Sequence, residues 1–326
     1  MIVLTDKSAL ECLRNFSESL PLHSLESACN QPYGFNYVDL RGFSRSAVST
    51  DDVDFILDWH SYLRKPIHLS VPRRDCRIKR NAIKCHCVSG HTLPESIVKL
   101  DGICVDSPEA CFLKMAPQLS RVQGIRLGFE LCGLYSMRND GTGFTKHIPL
   151  TTPKKIEAFL ENVGNAKGVK EARLSMRYVM PNSASPMETA LAMMLCLSKR
   201  YGGYGLPRAQ LNHRFQFEDE IGRIQTRFCD MMWPKNDLAL EYDSDAFHSG
   251  KEQIAHDSSK RATLLAHGVD VISVTRTQVF SVRKLDEVAT AIAKKLNHRL
   301  RGLDSAWRSR QFELRQELLY SDNHSS

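Results

Sequence analysis

The sequence predicts a mixed α/β (α+β) protein of more than one part, and three patterns carry that expectation. Between Phe228 and Asp243, apolar residues alternate with period two on both sides of Trp233-Pro234-Lys235-Asn236-Asp237, which reads as strand, turn and strand. Helical stripes mark both ends of the chain: Ala9, Leu10, Leu13 and Phe16 near the start, and Leu285, Val288, Ile292, Leu296 and Leu300 near the finish. Short apolar runs bounded by turn formers fill the stretch from Ile67 to Val105.

Composition narrows the class. A chain of 326 residues has material for two domains or one large one. Its 42% hydrophobic and 25% charged content is that of a soluble globular protein. The net charge of +7, from 44 Lys and Arg against 37 Asp and Glu, permits polyanion binding without demanding it. Ten cysteines are present, and Cys104, Cys111, Cys132 and Cys196 sit alone in apolar runs, the usage of buried thiols in a reducing compartment. The N-terminal residues lack a signal-peptide pattern. The longest apolar run, Ala190 to Leu197, falls far short of the about 20 residues that span a bilayer. A cytoplasmic protein with no membrane partner is expected.

In chain order, residues 5 to 17 read as a helix, and a second begins after Thr50, carries Val53, Ile56, Leu57 and His60 inward and stops before Pro66. His60 reads as a satisfied core or edge histidine, since nothing around it has ligand spacing. Strands follow at 67–71 and 82–88, and Asp101-Gly102 turns the chain between strands ending at Leu100 and beginning at Ile103. Cys85-His86-Cys87 offers metal-type residues, but on a strand the cysteines point one way and His86 the other, which argues against zinc. The basic run Arg73, Arg74, Arg77, Lys79 and Arg80 suits phosphate contacts or a solvated strand edge equally.

Ser107-Pro108-Glu109 and Thr152-Pro153 open further helices, with another expected over 118–134, and the polar segment 136–145 reads as a loop. Ser185-Pro186-Met187-Glu188 opens a strong helix with Met187, Ala190, Leu191, Met194 and Leu195 on its buried stripe. The glycine-rich stretch 201–207 reads as a turn, because it follows a helix and lacks the Gly-Lys-Ser/Thr of a phosphate-binding loop. After the hairpin come a helix over 251–267, a buried strand over 269–275, the final helix, and a charged segment beyond Arg301 that is helical in part.

The hairpin carries the chemistry. If Trp233 pairs with Leu238, antiparallel register sets Asp230 opposite Glu241, with Cβ atoms roughly 5 Å apart on one face. Asp243 shares that face by alternation. Carboxylates so close raise one another's pKa, and a hard cation such as Mg²⁺, with Mn²⁺ as a substitute, removes the repulsion. The plain alternative is a solvated sheet face with incidental acids. Glu188 also has a plain alternative: with Ser185 at the N-cap and Pro186 at N1, it completes a capping box.

The order helix, strands, helix, strand, helix after residue 185, with Glu188, Asp230 and Glu241 at these points, resembles the PD-(D/E)XK restriction-endonuclease-like core. More narrowly it is similar to a family related to very-short-patch-repair (Vsr) endonucleases. The likeness rests on Ser185-Pro186-Met187-Glu188, Asp230-Met231-Met232-Trp233-Pro234, Leu240-Glu241-Tyr242-Asp243 with His248, and Gln253, Asp257, Lys260-Arg261, Leu264-Leu265, Gly268 and Val274-Thr275. It covers about a hundred residues. Upstream, Val98 to Ile103 with Ser107-Pro108-Glu109 resembles a segment of actinobacterial relatives, some of them AbiEi-like antitoxins. On this reading 1–180 is a mixed α/β accessory domain, 181–302 the nuclease-like core and 303–326 a charged tail.

The resemblance implies a Mg²⁺-dependent DNA endonuclease serving phage defence or DNA repair. Asp230 and Glu241 become metal ligands and Glu188 a supporting acid. One departure matters: Asp243 occupies the position of the motif's Lys, and a carboxylate cannot stabilise developing negative charge. Lys260 and His248 are the candidate replacements. Gln253, Asp257, Lys260 and Leu264 fall on one face of the following helix, so that Lys260 can reach toward the acids, while Gln253 and Arg261 are placed to meet DNA. His248 suits a general base. Asp257 with Lys260 or Arg261 is otherwise an ordinary surface ion pair. The alternatives are a DNA-binding transcriptional regulator or antitoxin on a catalytically degenerate nuclease fold, and a protein-interaction module with a toxin or defence partner.

Overall fold

The computed structural model describes residues 2–29, 31–38, 60–87, 95–219, 221–243 and 260–320, with positions 53, 54, 56 and 58. The chain is mixed α/β and forms two compact units. One comprises Met1–His23 with Asn30–Val179, the other Ser24–Cys29 with Met180–Ser326. Among the described residues, no helix is long and apolar enough to cross a membrane.

The first unit is built on a five-stranded sheet. Strands β1 (Val3–Leu4), β2 (Ile67–Val71), β3 (Ile83–Cys87), β4 (Ile97–Leu100) and β5 (Ile103–Asp106) lie in the order β3-β2-β1-β5-β4. The two-residue β1 holds the centre, antiparallel to β2 and parallel to β5. The β4–β5 turn is Asp101-Gly102, both at positive φ (45° and 87°), the two-residue hairpin geometry that matches strand twist. Val53 and Ile56 are helical and buried, as their spacing predicts.

Helix α1 (Asp6–Ser17) leaves the end of β1 directly. Helix α2 (Pro108–Met115) starts where Ser107 accepts the Ala110 amide. The helix expected over 118–134 is shorter: Leu119 is extended, Ser120 and Gln123 form a capping box, and α3 runs Arg121–Leu131. Residues 136–145, expected as loop, contribute to a small hairpin of β6 (Tyr135–Met137) and β7 (Phe144–Lys146). Helices α4 (Pro153–Asn162) and α5 (Val169–Met176) follow in the same unit. Arg14 of α1 clamps Glu130 of α3 with two bonds of 2.7 and 2.8 Å, a fork geometry that offsets the desolvation of the buried acid.

The second unit centres on helix α6 (Pro186–Cys196) and a four-stranded sheet. All residues from Glu188 to Leu195 are buried, so α6 is enclosed on every side rather than along one stripe. Strands β8 (Gln210–Glu218), β9 (Ile224–Trp233), β10 (Leu238–Asp243) and β11 (Asp270–Thr275) lie in the order β11-β10-β9-β8. The β9–β10 and β8–β9 pairs are antiparallel and β10–β11 is parallel. A helix at 260–266, α7, enters β11, and α8 (Val282–Lys295) buries Leu285, Val288 and Ile292.

The segment beyond 303, read from sequence as a charged tail helical in part, carries helix α9 (Ser305–Leu319) and packs into the unit. Its Trp307 is 0% exposed and donates to the Gly203 carbonyl at 2.9 Å, while Arg315 is buried and donates to the Val279 carbonyl at 2.8 Å. The approach explains the glycine-rich turn. A Cβ at Gly202 would sit 2.3 Å from the Arg310 carbonyl oxygen, and one at Gly203 would sit 2.1 Å from that of Leu197.

Candidate functional site

The hairpin pairs in the expected register: Trp233 faces Leu238, Ala239 faces Met232 and Leu240 faces Met231. Asp237 makes the turn with a left-handed backbone (φ 45°), which Asp tolerates better than most residues. The ladder stops at Leu240, one residue before Asp230 and Glu241. There the Asp230 carboxylate takes the Tyr242 amide at 2.7 Å, in place of a backbone carbonyl. The β8–β9 pairing is interrupted at the same level: Leu211–Met231 and His213–Cys229 are paired, and Asn212 between them is left-handed (φ 43°).

This break changes which side chains share a face. On an unbroken strand Cys229 and Met232 would point to opposite sides. Here Cys229 belongs to the same core cluster as Met232, Ala239, Leu264 and Val269. The Cys229 thiol lies beside Glu241, and burial pushes it up to about 12, so it stays protonated.

Glu241 is the centre of the charge arrangement. Lys260, the first described residue of α7, reaches it with Nζ 2.5 Å from Oε2, and the two side chains are only 18% and 19% exposed. The other oxygen, Oε1, is buried and has no nitrogen or oxygen donor among the described residues. Burial first, and the nearby Asp230 charge second, raise the Glu241 carboxyl to about 7 against the opposing pull of Lys260. The Lys260 ammonium loses hydration, yet attraction to Glu241 and Asp230 outweighs that loss and holds its pKa above the usual value.

Glu188 presents its carboxylate from the first turn of α6. Ser185 caps the helix, accepting the Glu188 amide at 3.1 Å. The reciprocal bond is not the capping-box one: the carboxylate takes the Ala184 amide (2.8 Å), with the Ser185 hydroxyl (3.0 Å) and the Asn212 amide nitrogen (2.8 Å) as further donors. Asn212 also donates to the Asn182 carbonyl at 2.8 Å, so it ties the strand break to the helix start. Burial and the Asp230 charge raise Glu188 to about 7, with the three donors opposing.

Lys260 and Glu241 thus meet directly, and Asp230 is felt by Glu188, Glu241 and Lys260. Asp243 sits exposed in the last pair of β10 with β11, opposite Thr275. Arg261 is exposed on α7. His248, Gln253 and Asp257 lie outside the described residues.

One group was missed from the sequence. Among the described residues, the one trio of ligating side chains whose donor atoms all lie within 4.8 Å of one another is Asp6, His68 and His86, in the first unit. Cys85 and Cys87 turn away from His86, as alternation requires, and their sulfurs receive the Ile78 amide and Arg77 Nε, both at 3.3 Å. The three residues stand far apart in sequence and make no spacing motif. The available signal was weaker: a histidine within each of two short apolar strands.

Comparison with protein-family models, curated proteins and solved structures finds no match to this chain.

Proposed function

We propose that the second unit is a Mg²⁺-dependent phosphodiesterase acting on DNA, with a restriction-endonuclease-like core. The observation that carries this reading is the Lys260–Glu241 contact at the break in the hairpin. Asp243 denies the site a lysine on the strand, and α7 supplies one from the next element, beside the acids. A cation there can stabilise charge developing on a phosphate, which a carboxylate cannot.

Asp230 and Glu241 are the metal ligands on this reading. Among the described residues the buried Oε1 of Glu241 meets no nitrogen or oxygen donor, the weakly donating Cys229 thiol lies beside the carboxylate, and a hard cation suits such an oxygen. Glu188, Asp230 and Glu241 do not close into one tight trio, so a cation there would have to draw most of its shell from water and substrate phosphate. When bound, the cation would supply Lewis-acid polarisation of the phosphate and a more acidic water. Glu188, fixed by three donors, adds negative charge beside Asp230 once it ionises above about pH 7, and the exposed Arg261 contacts the DNA backbone. The net charge of +7 favours approach to a polyanion.

The test is nicking of supercoiled plasmid in Mg²⁺ or Mn²⁺ by wild type, Asp230→Asn and Lys260→Met, with folding checked by circular dichroism. Wild type should cleave, and each variant should lose about 100-fold or more in rate. Cleavage unchanged in Asp230→Asn would remove the proposal. Salt-sensitive duplex binding in EDTA, with no cleavage under any condition, would replace it with the regulator or antitoxin reading that Asp243 first raises.

A further inference from the structure

The first unit holds a cavity of about 750 Å³ whose walls include Asp6, His86, Asp106 and Lys114. Asp6 follows β1, and His68 and His86 stand on the neighbouring β2 and β3. In the parallel pairing of those strands Ser70 faces His86 and His68 faces Lys84, so all four share one sheet face. His86 Nε2 lies 3.1 Å from His68 Nδ1, which in turn lies 3.6 Å from Asp6 Oδ1.

We propose that Asp6, His68 and His86 form a site for one divalent transition-metal ion of the zinc class, with an open position that takes an anionic, phosphate-bearing ligand from the cavity. Donors about 2.0–2.2 Å from a tetrahedral Zn²⁺ stand about 3.4 Å from one another, and the two measured separations bracket that spacing. Two imidazoles and a carboxylate are a zinc-type donor set, unlike the all-oxygen set expected for Mg²⁺. Three protein ligands leave a coordination position free, as sites that bind exchangeable ligands do.

The surroundings are built to hold the carboxylate. Asp6 is 2% exposed and takes the left-handed backbone (φ 57°), an uncommon conformation for a side-chain-bearing residue. Its Oδ1 accepts the Lys7 amide at 2.8 Å, and its Oδ2 accepts from Gln118. Such outer partners orient metal ligands and keep them in place. His68 is 4% exposed and His86 is half-buried, so both rings are held within the fold rather than free in solvent.

The cavity chemistry selects the ligand class. Arg74, Arg77, Lys84, Lys114 and Lys167 line it against two carboxylates, Asp6 and Asp106. Asp106 is already paired with Lys114 at 2.7 Å, so the remaining cations face the space with an excess of positive charge. A phosphate oxygen completing the metal shell would meet those cations with its other oxygens.

The experiment is titration of the metal-free full chain with Co²⁺, followed by its visible d–d bands, and with Zn²⁺ by calorimetry. The proposal expects one equivalent bound by Asp230→Asn/Glu241→Gln, in which the acids of the second unit are removed, so that the outcome is independent of that unit. His86→Gln, a half-buried position on an edge strand, should keep its circular dichroism and weaken binding more than about 100-fold, beyond the loss of an outer partner alone. Millimolar inorganic phosphate should shift the Co²⁺ bands, and less so in Lys84→Ala. Absence of stoichiometric binding, or equal binding by folded His86→Gln, overturns the metal site and leaves a hydrogen-bonded histidine pair. Bands that ignore phosphate overturn the ligand class.

Discussion

Replacing Lys260 by Met should destabilise the second unit at pH 8.5 and leave it nearly unchanged at pH 5.5. Removing one partner of a fully buried ion pair costs roughly 3–5 kcal/mol, because the other charge is left in low dielectric. The Lys260 and Glu241 side chains are each about a fifth exposed (18% and 19%), and Glu241 can take up a proton instead. We therefore expect about 2 kcal/mol at pH 8.5. The direction follows from Glu241, whose folded pKa is raised to about 7 from 4.5. A raised carboxyl binds protons more tightly in the folded state, so its ionisation removes stability as pH climbs from about 4.5 toward 7. Without the lysine that climb extends further, and the variant keeps losing stability above pH 7. At pH 5.5 Glu241 is protonated in both proteins, and little distinguishes them.

The assay is thermal unfolding followed by tryptophan fluorescence. The chain has three tryptophans, Trp59, Trp233 and Trp307, of which the last two are buried in the second unit. A Trp59→Phe background makes the signal specific to that unit. The expected loss in Tm is about 5 °C at pH 8.5, taking about 2–4 °C per kcal/mol for a unit of this size. A loss of equal size at both pH values, or none at pH 8.5, would refute the claim that Lys260 and Glu241 act as a desolvated pair.

Two further outcomes follow from the same neighbourhood. Mg²⁺ affinity in the second unit should rise with pH up to about 7, since Glu188 and Glu241 are both raised to about 7 and ligands must be deprotonated; calorimetry in buffers of different ionisation enthalpy would show proton release at pH 6, and pH-independent binding without it would contradict the arrangement. Asn212→Ala should cost about 2–3 kcal/mol in urea unfolding, because the Asn182 carbonyl and the Glu188 carboxylate both lose a donor and the left-handed backbone is kept; Asn212→Gly should cost less by relieving the backbone, and the reverse ranking would refute that account.

Local chemistry was the legible part of this sequence. Pro234, Asn236 and Asp237 demand a tight turn, and period-two alternation then leaves one sensible register, so Trp233 opposite Leu238 could be read directly. Lys260 was one of two candidates, with His248, once the resemblance called for a basic group near the acids, and helical spacing let it reach them. The break at Asp230 was not legible, because it depends on the Tyr242 amide and on Asn212 in another strand. Strand β8 was passed over although Leu211, His213, Phe215 and Phe217 alternate. The charges of α9 left its helical part legible but hid its buried face, where Trp307, Gln311, Leu314 and Leu318 recur at near-helical spacing. The trio of Asp6, His68 and His86 depends on a sheet order that places β1 beside β2, which no local pattern announces.

The position of β1 also sets the timing of assembly. Val3 and Leu4 join the antiparallel partner around Leu69 to the parallel partner around Cys104, the latter about a hundred positions downstream. At roughly 5–20 residues per second of synthesis, the emerging segment waits on the order of 5 to 20 seconds for that second partner. The strand that joins both halves of the sheet is made before either half. An exposed apolar strand of six or seven residues would be an aggregation hazard over such an interval, and a two-residue strand is too short to template one. Brevity at the centre of the sheet thus lets the nascent chain wait safely.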